Sequence, residues 1–293
     1  MTRSTNEPVR GIFKLTYNSD VSIYYELSCP PASDNAKPII ALSNPLAASL
    51  DHWDKFTDEF SPFYTILRYD SRFHGRSPLG SSGKPEYDFK AAASSLTMAD
   101  LAQDLKDLLD HLAIPKLHAL IGLSIGGGVA LVFGAMYPEL VEQVLVVGSR
   151  AKTDREVNET FDARIKFGWD NGTASLAAQS MNRWFPEPWL RDHHDEAQKM
   201  EKMLSMQSME GYEVSVGALK KLDLWPYVEK VRELADGHRF LFMAGERDGS
   251  VTDETRAMAE RAGSEVVILQ GLGHMVNIEG PEAFHAAVRR RIA

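Results

Sequence analysis

The residues best suited to do chemistry are Gly122-Leu123-Ser124-Ile125-Gly126. A serine flanked at two-residue distance by glycines suits a sharp turn that lifts the hydroxyl clear of the backbone. Small residues are needed at both ends because such a turn is strained and the helix after it packs close. A serine hydroxyl is a poor nucleophile until a base takes its proton, and the base needs an acid to orient it. On a turn of this kind the acid follows the serine and the histidine follows the acid. Asp248 in Gly245-Glu246-Arg247-Asp248 and His274 in Gly271-Leu272-Gly273-His274-Met275 fit that order. Their competitors are worse placed. Asp253 is read as the cap of a helix, Glu246 and Asp223 as solvated carboxylates, and His118 as a packing residue along a strand. His238 precedes a strand and His285 falls inside a helix, while His74 is read as a brace of its own loop. An acyl-transfer site also needs donors for the oxyanion. The N–H of Ile125, just after the serine, is one candidate. Leu46 in Asn44-Pro45-Leu46-Ala47-Ala48 is the other, since Pro45 has no N–H to offer.

The pattern alone is common: with Gly and Ser each near 7% of residues, roughly one chain in ten of this length carries it by chance. The weight therefore rests on the elements around it. Lys116 to Ile121 is a short apolar run that reads as a buried strand, and Gly127 to Met136 continues at helical spacing. Residues 10–17 and 21–27 read as a hairpin about Asn18-Ser19-Asp20, and residues 38–43, 64–69, 141–147, 239–244 and 265–269 as further strands. Thr97 to Ala113 starts with a capping threonine and repeats leucine on one face, an amphipathic helix. Helices follow at about 253–262 and 281–291. Strands alternating with helices predict an α/β architecture, a mostly parallel sheet covered on both faces. Asp248 and His274 then fall at the C-terminal ends of strands, where ligand sites of open sheets lie.

Residues 150–230 break the rhythm: they are rich in Met, Trp and charge, with helical spacing and no strand. They predict a helical cap inserted into a core formed by residues 1–149 and 231–293. Its aromatic and methionine side chains form a small core of their own or face a pocket, with Trp184 and Met206 as pocket candidates. Arg150 and Lys152 stand where sheet gives way to cap, either as cations at the pocket mouth or as surface charges.

The 293 residues carry 44% hydrophobic and 25% charged side chains with a net charge of −9, which gives no reason to expect nucleic-acid binding. The solitary Cys29 excludes an internal disulfide and a cysteine metal site. No segment reads as a signal peptide or a membrane helix, so a cytoplasmic protein, monomer or homodimer, is expected.

At this point the chain resembles an α/β-hydrolase, and within that superfamily the 3-oxoadipate enol-lactonases. The resemblance runs from about residue 20 to the C-terminus. It is carried by Leu42-Ser43-Asn44-Pro45-Leu46 with Trp53, by Leu67-Arg68-Tyr69-Asp70-Ser71-Arg72-Phe73-His74-Gly75-Arg76-Ser77 and by the serine turn. In the cap it rests on Ala151-Lys152, Ala163-Arg164-Ile165, Arg183-Trp184-Phe185, Glu210-Gly211-Tyr212 and Leu222-Asp223-Leu224. It implies an eight-stranded, mostly parallel sheet and a triad of Ser124, Asp248 and His274. Three departures are visible. The family usually has glycine where this chain has Ala47 and Phe73, and its acid loop often reads Asp-Pro where this chain has Asp248-Gly249.

The expected function is a serine hydrolase, needing no cofactor or metal, that opens a small lactone or ester. The alternatives keep the triad and change the substrate: a biosynthetic or C–C bond hydrolase, or a perhydrolase, acting on a larger molecule. A non-catalytic ligand-binding member of the fold would usually have lost a triad residue. Epoxide hydrolase and haloalkane dehalogenase chemistry need aspartate where Ser124 stands.

Overall fold

The computed structural model describes residues 8–28, 37–80 and 87–293; Cys29 and the first seven residues lie outside the described set. Eight strands form one sheet: β1 (Val9–Lys14), β2 (Ser22–Leu27), β3 (Ile39–Ser43), β4 (Thr65–Tyr69), β5 (Leu117–Leu123), β6 (Val141–Val147), β7 (Phe240–Gly245) and β8 (Glu265–Leu269). Their order is β1-β2-β4-β3-β5-β6-β7-β8. The β1–β2 hairpin and the β2–β4 pair are antiparallel, and every other pair is parallel. The register carries functional weight. Leu123 stands opposite Val147, Val147 opposite Met243, and Gly245 opposite Leu269, so β5 to β8 end at nearly one level. The loops that follow them therefore open onto a common floor.

Both faces of the central strands are buried, and alternate residues join different cores. Phe240 and Phe242 point into one apolar cluster, Leu241 and Met243 into the other. The first is covered by α3 (Met98–His111), which opens with Thr97 and Asp100 in a reciprocal capping box, and by α4 (Ile125–Met136). The second is covered by Trp53 in a 3₁₀ turn at Leu50–Trp53, by α1 (Asp54–Phe60) and by α12 (Pro281–Ile292). Of the remaining helices, α2 (Phe89–Ser95), α9 (Trp225–Glu233) and α10 (Ser250–Ala262) add to the first cluster, and α11 (Val276–Glu279) adds to the second. Three of these short helices, α1, α2 and α11, are too brief to show a sequence period. Asp253 lies inside the first turn of α10, not at its cap. Gly249 precedes the helix, and the carboxylate faces the positive end of the helix dipole.

Between β6 and β7 lie α5 (Arg155–Trp184), α6 (Glu187–Asp192), α7 (His194–Ser205) and α8 (Met209–Lys220). Gly172, at φ +83° and ψ 164°, breaks α5 into two arms. Only glycine takes that conformation without strain. The second arm packs Met181 and Trp184 on the second core, while α8 packs Met209 and Tyr212 on the first. The cap thus bridges both cores.

Ala47 and Phe73 occupy the left-handed region, at φ +63° and +64°. These are the positions where the resembled family carries glycine, and an L side chain there costs about 1–2 kcal/mol. Packing separates the two. Phe73 is buried against Tyr87 and Phe89, at ring distances of 5.0 and 5.3 Å. Ala47 has only a methyl group to lose. Ala47→Gly is therefore expected to raise the unfolding free energy by about 0.5–1 kcal/mol, whereas Phe73→Gly should lower it by about 3 kcal/mol through lost core volume. Equilibrium urea denaturation checks both signs.

Candidate active site

Ser124 is the single residue between β5 and α4, at φ +59° and ψ −119°. Its N–H donates to the Val147 carbonyl (2.8 Å), and its own carbonyl accepts from Gly128 (3.1 Å). The strained turn is thus held from the neighbouring strand and from its own helix. A Cβ on Gly122 would run into the Gly126 carbonyl, and one on Gly126 into the Ser43 carbonyl. That is the physical reason for glycine on both sides of the serine.

Asp248 and His274 come from the loops after β7 and β8. Those loops are joined by their backbones before their side chains meet. Glu246 N–H donates to Leu269 O (2.9 Å), Arg247 N–H to Leu272 O (2.8 Å), and Gly271 N–H to the Glu246 carboxylate (2.9 Å). The buried Glu279 carboxylate accepts from Gly273 N–H (2.5 Å) and also pairs with Arg247. On this frame His274 Nδ1 donates to Asp248 Oδ2 at 2.8 Å, with both side chains largely buried. The bond fixes the proton on Nδ1 and leaves Nε2 as the free basic nitrogen. Gly148, the next residue after the Val147 that anchors Ser124, lies against both the imidazole and the carboxylate. Serine, histidine and aspartate therefore gather at the end of β6.

Behind the histidine sits a second imidazole. His52 is fully buried, and Asn277 Nδ2 donates to its Nε2 (3.0 Å). Burial pushes His52 down to about 3, so it adds no like charge beside His274 when that ring takes up a proton. Burial also lowers His74 and His285. In the unfolded chain each of the three takes a proton near pH 6.5, so the unfolded state binds more protons as pH falls through that value. Asp70 opposes this with one proton, because burial pushes it up to about 6 and the folded state binds first. The unfolding free energy is expected to fall by about 1–3 kcal/mol per pH unit from pH 6.5 to 5. Urea titrations at successive pH values measure it, and a flat or rising profile contradicts it.

The loop after β3 is clamped from three sides. Asn44 Nδ2 donates to Tyr69 O (2.9 Å), Trp53 Nε1 donates to Asn44 Oδ1 (3.1 Å), and Tyr69 OH donates to Ser43 Oγ (3.0 Å). Asp70 extends the brace, accepting from Leu50 N–H (2.6 Å) and Arg76 N–H (2.7 Å). The loop carries Leu46 alongside the N-terminus of α4, where Leu46 and Ile125 line one small hollow of about 10 Å³. Among the described residues neither backbone N–H is given to a protein acceptor. With the positive end of α4 behind them, both N–H groups can receive a developing oxyanion.

His74 is a buried loop residue whose Nδ1 meets the Arg72 carbonyl (3.0 Å). Arg72 itself is held by a buried bidentate pair with Asp104 (Nε–Oδ2, 2.8 Å). His118 stacks on Tyr64 and contacts Glu142.

The cap candidates separate. Trp184 is buried, with its ring centroid 6.2 Å from that of His274. Met206 is 75% exposed and lines a different cleft, of about 740 Å³ between α7 and the Ser49–Asp58 segment, that none of Ser124, Asp248 and His274 lines. Arg150 and Lys152 are not free pocket cations. Arg150 pairs with Glu254 (3.1 Å) and Lys152 with Asp223 (2.6 Å), which also shows that Asp223 is partnered. Nearby acids neutralise both more cheaply than an incoming ligand could. The sequence analysis names Arg164 and Arg183 only within the resemblance; among the described residues neither forms an ion pair. A signal existed for Arg164: no acid lies three or four residues from it on α5, whereas Arg155 and Lys166 on the same helix have Glu159 and Asp170 at that spacing.

Comparison with known proteins agrees with this architecture. The 3-oxoadipate enol-lactonase 2 of Acinetobacter baylyi is 27% identical over 255 residues, 86% of this chain and 87% of that protein. A crystal structure of the enol-lactonase from Burkholderia xenovorans LB400 superposes with a TM-score of 0.80 at 23% identity, covering 96% of this chain and 99% of that one. A hydrolase from Pseudomonas aeruginosa PA01 does so with a TM-score of 0.79 at 27% identity, over 97% and 98%. Among the described residues no helix is long and apolar enough to cross a membrane. The family model of the alpha/beta hydrolase fold matches residues 42–281, most of the chain, and the protein belongs to that family of hydrolases.

Proposed function

We propose that this hydrolase opens a small lactone or ester through an acyl-enzyme on Ser124. The observation that carries the reading is the 2.8 Å bond from His274 to Asp248 at the end of β6, the strand whose last carbonyl anchors Ser124. Ser124 Oγ attacks the carbonyl carbon while His274 Nε2 takes its proton. The carbonyl oxygen becomes an oxyanion that accepts from the Leu46 and Ile125 N–H groups. The C–O bond to the leaving group then breaks, and His274 returns the proton to the departing alkoxide or enolate. Water, deprotonated by the same nitrogen, attacks the acyl carbon and releases the acid. Asp248 holds the imidazole in the tautomer that keeps Nε2 free and stabilises its charged form. The similarity to an enol-lactonase over most of the chain supports a lactone as substrate, and Trp184 above His274 supports the cap as the wall that selects it.

Labelling with a fluorophosphonate tests the proposal. One equivalent per chain, mapped by peptide mass to the segment holding Ser124, is the expected result. Label on another residue, or none, overturns it.

A further inference from the structure

His274 follows Gly273, a residue with no side chain to hold it in place. The backbone bonds that join the loops after β7 and β8 stop one residue earlier, at Leu272, whose carbonyl accepts from Arg247 N–H (2.8 Å). A glycine at the next position leaves two freely turning dihedrals just ahead of the base. Glycine is nonetheless required there. A Cβ on Gly273 would lie 3.0 Å from Glu279 Oε2 and 3.1 Å from the Trp184 carbonyl. The freedom of this residue therefore has to be removed by a bond to its backbone.

Glu279 supplies that bond and a second one. Its Oε2 accepts from Gly273 N–H (2.5 Å), and its Oε1 accepts from Arg247 Nη2. One oxygen thus serves the residue before His274, and the other serves the residue before Asp248. The Glu279 side chain is only 3% exposed, so water competes little for it. An ionised acceptor makes shorter and stronger bonds than a neutral one, and its two oxygens can hold two donors at once.

The carboxylate stands on a fixed base. Glu279 N–H donates to Met275 O (2.8 Å) and Gly280 N–H to Val276 O (3.1 Å), while Val276 and Ile278 are buried in the second core. Gly280 lets α11 close on the histidine loop, since a Cβ there would lie 2.6 Å from Leu272 Cδ1. On the same short helix Asn277 holds the buried His52 (3.0 Å).

We propose that Glu279 is a positioning residue that sets the approach of His274 to Asp248 by fixing the two residues that precede them. This rests on the acyl-enzyme reading above, in which that pair prepares Nε2 as the base. Glu279 touches no reacting atom and carries no proton. Misplacing a catalytic group by about 1 Å can slow a reaction on the order of a hundredfold. That is the loss expected when both bonds are removed.

Kinetics and proton NMR of three variants test it. Glu279→Leu should lower kcat on a 4-nitrophenyl ester about a hundredfold with KM little changed. Glu279→Gln keeps an acceptor for Gly273 N–H and should recover at least tenfold of that loss. The proton held between His274 Nδ1 and Asp248 Oδ2 gives a low-field resonance, expected sharp in the wild type and the Gln variant and broadened or lost in Glu279→Leu. Arg247→Met alters a half-exposed side chain and guards against a Leu variant that does not fold. It should cost about tenfold in kcat, and nothing further when added to Glu279→Leu, because both changes break one pair. The proposal fails if folded Glu279→Leu keeps kcat within threefold of wild type, if its low-field resonance is unchanged, or if Arg247→Met leaves kcat unaltered. Should Ser124 fail to take the fluorophosphonate, the acyl-enzyme reading falls instead, and the resonance still decides whether Glu279 positions His274 on Asp248.

Discussion

Replacing Ser124 with alanine is expected to remove turnover almost entirely, by roughly six decades in kcat, while the protein folds as before. The size follows from the covalent route: without the hydroxyl there is no acyl-enzyme, and what remains is water acting in a site that still polarises the carbonyl. The fold should survive because the turn is held by backbone groups, the Ser124 N–H on Val147 and the Gly128 N–H on the Ser124 carbonyl. The serine side chain takes no part in either bond. Alanine keeps a Cβ at the same positive φ, so it neither relieves nor adds strain. Steady-state kinetics on 4-nitrophenyl esters, beside circular dichroism and a urea titration, separates the two effects. Activity within tenfold of wild type in a folded variant would place the nucleophile elsewhere.

Asp248→Asn is expected to slow kcat by roughly three to four decades with KM little changed. The amide is nearly the same size, so the loop after β7 keeps its bonds to Leu269 and Leu272. What changes is the partner of His274 Nδ1. The asparagine amide can donate to that nitrogen, which moves the ring proton to Nε2 and blocks the position that must accept from Ser124. The stabilisation of the charged imidazole is lost as well. Asp223→Asn and Glu246→Gln are the comparison variants: Asp223 pairs with Lys152, and Glu246 accepts from Gly271 N–H at the loop edge. A dead Glu246→Gln beside a near-normal Asp248→Asn would reassign the acid.

Both variants rest on residues that were legible in the sequence, because each is marked by local chemistry. The serine turn announces itself through glycines that the backbone cannot do without. The alternation of apolar runs with helical spacing places Asp248 and His274 at strand ends, and the parallel register then levels those ends. Strand limits, the Thr97 cap and the break at Trp184-Phe185-Pro186 follow from propensity and capping within a few residues of each other in the chain. Ala47 and Phe73 are legible in the sequence only as departures from the resembled family's glycine; that their backbones lie in the left-handed region is shown by the structure.

What only the tertiary structure decides is which charges cancel. Arg150 and Lys152 stand at the border of sheet and cap in the sequence, yet Glu254, far along the chain, and Asp223 neutralise them. Arg164 and Arg183 stand on the two arms of α5, on either side of the break at Gly172, and among the described residues neither meets an acid. Met206 is a pocket candidate by residue type but lines a separate cleft, between α7 and the Ser49–Asp58 segment, that none of Ser124, Asp248 and His274 lines. Local sequence determines the strand, the turn and the cap through short-range sterics and hydrogen bonds. The pairing of long, flexible charged side chains is set by distances across the fold, and no spacing along the chain encodes them.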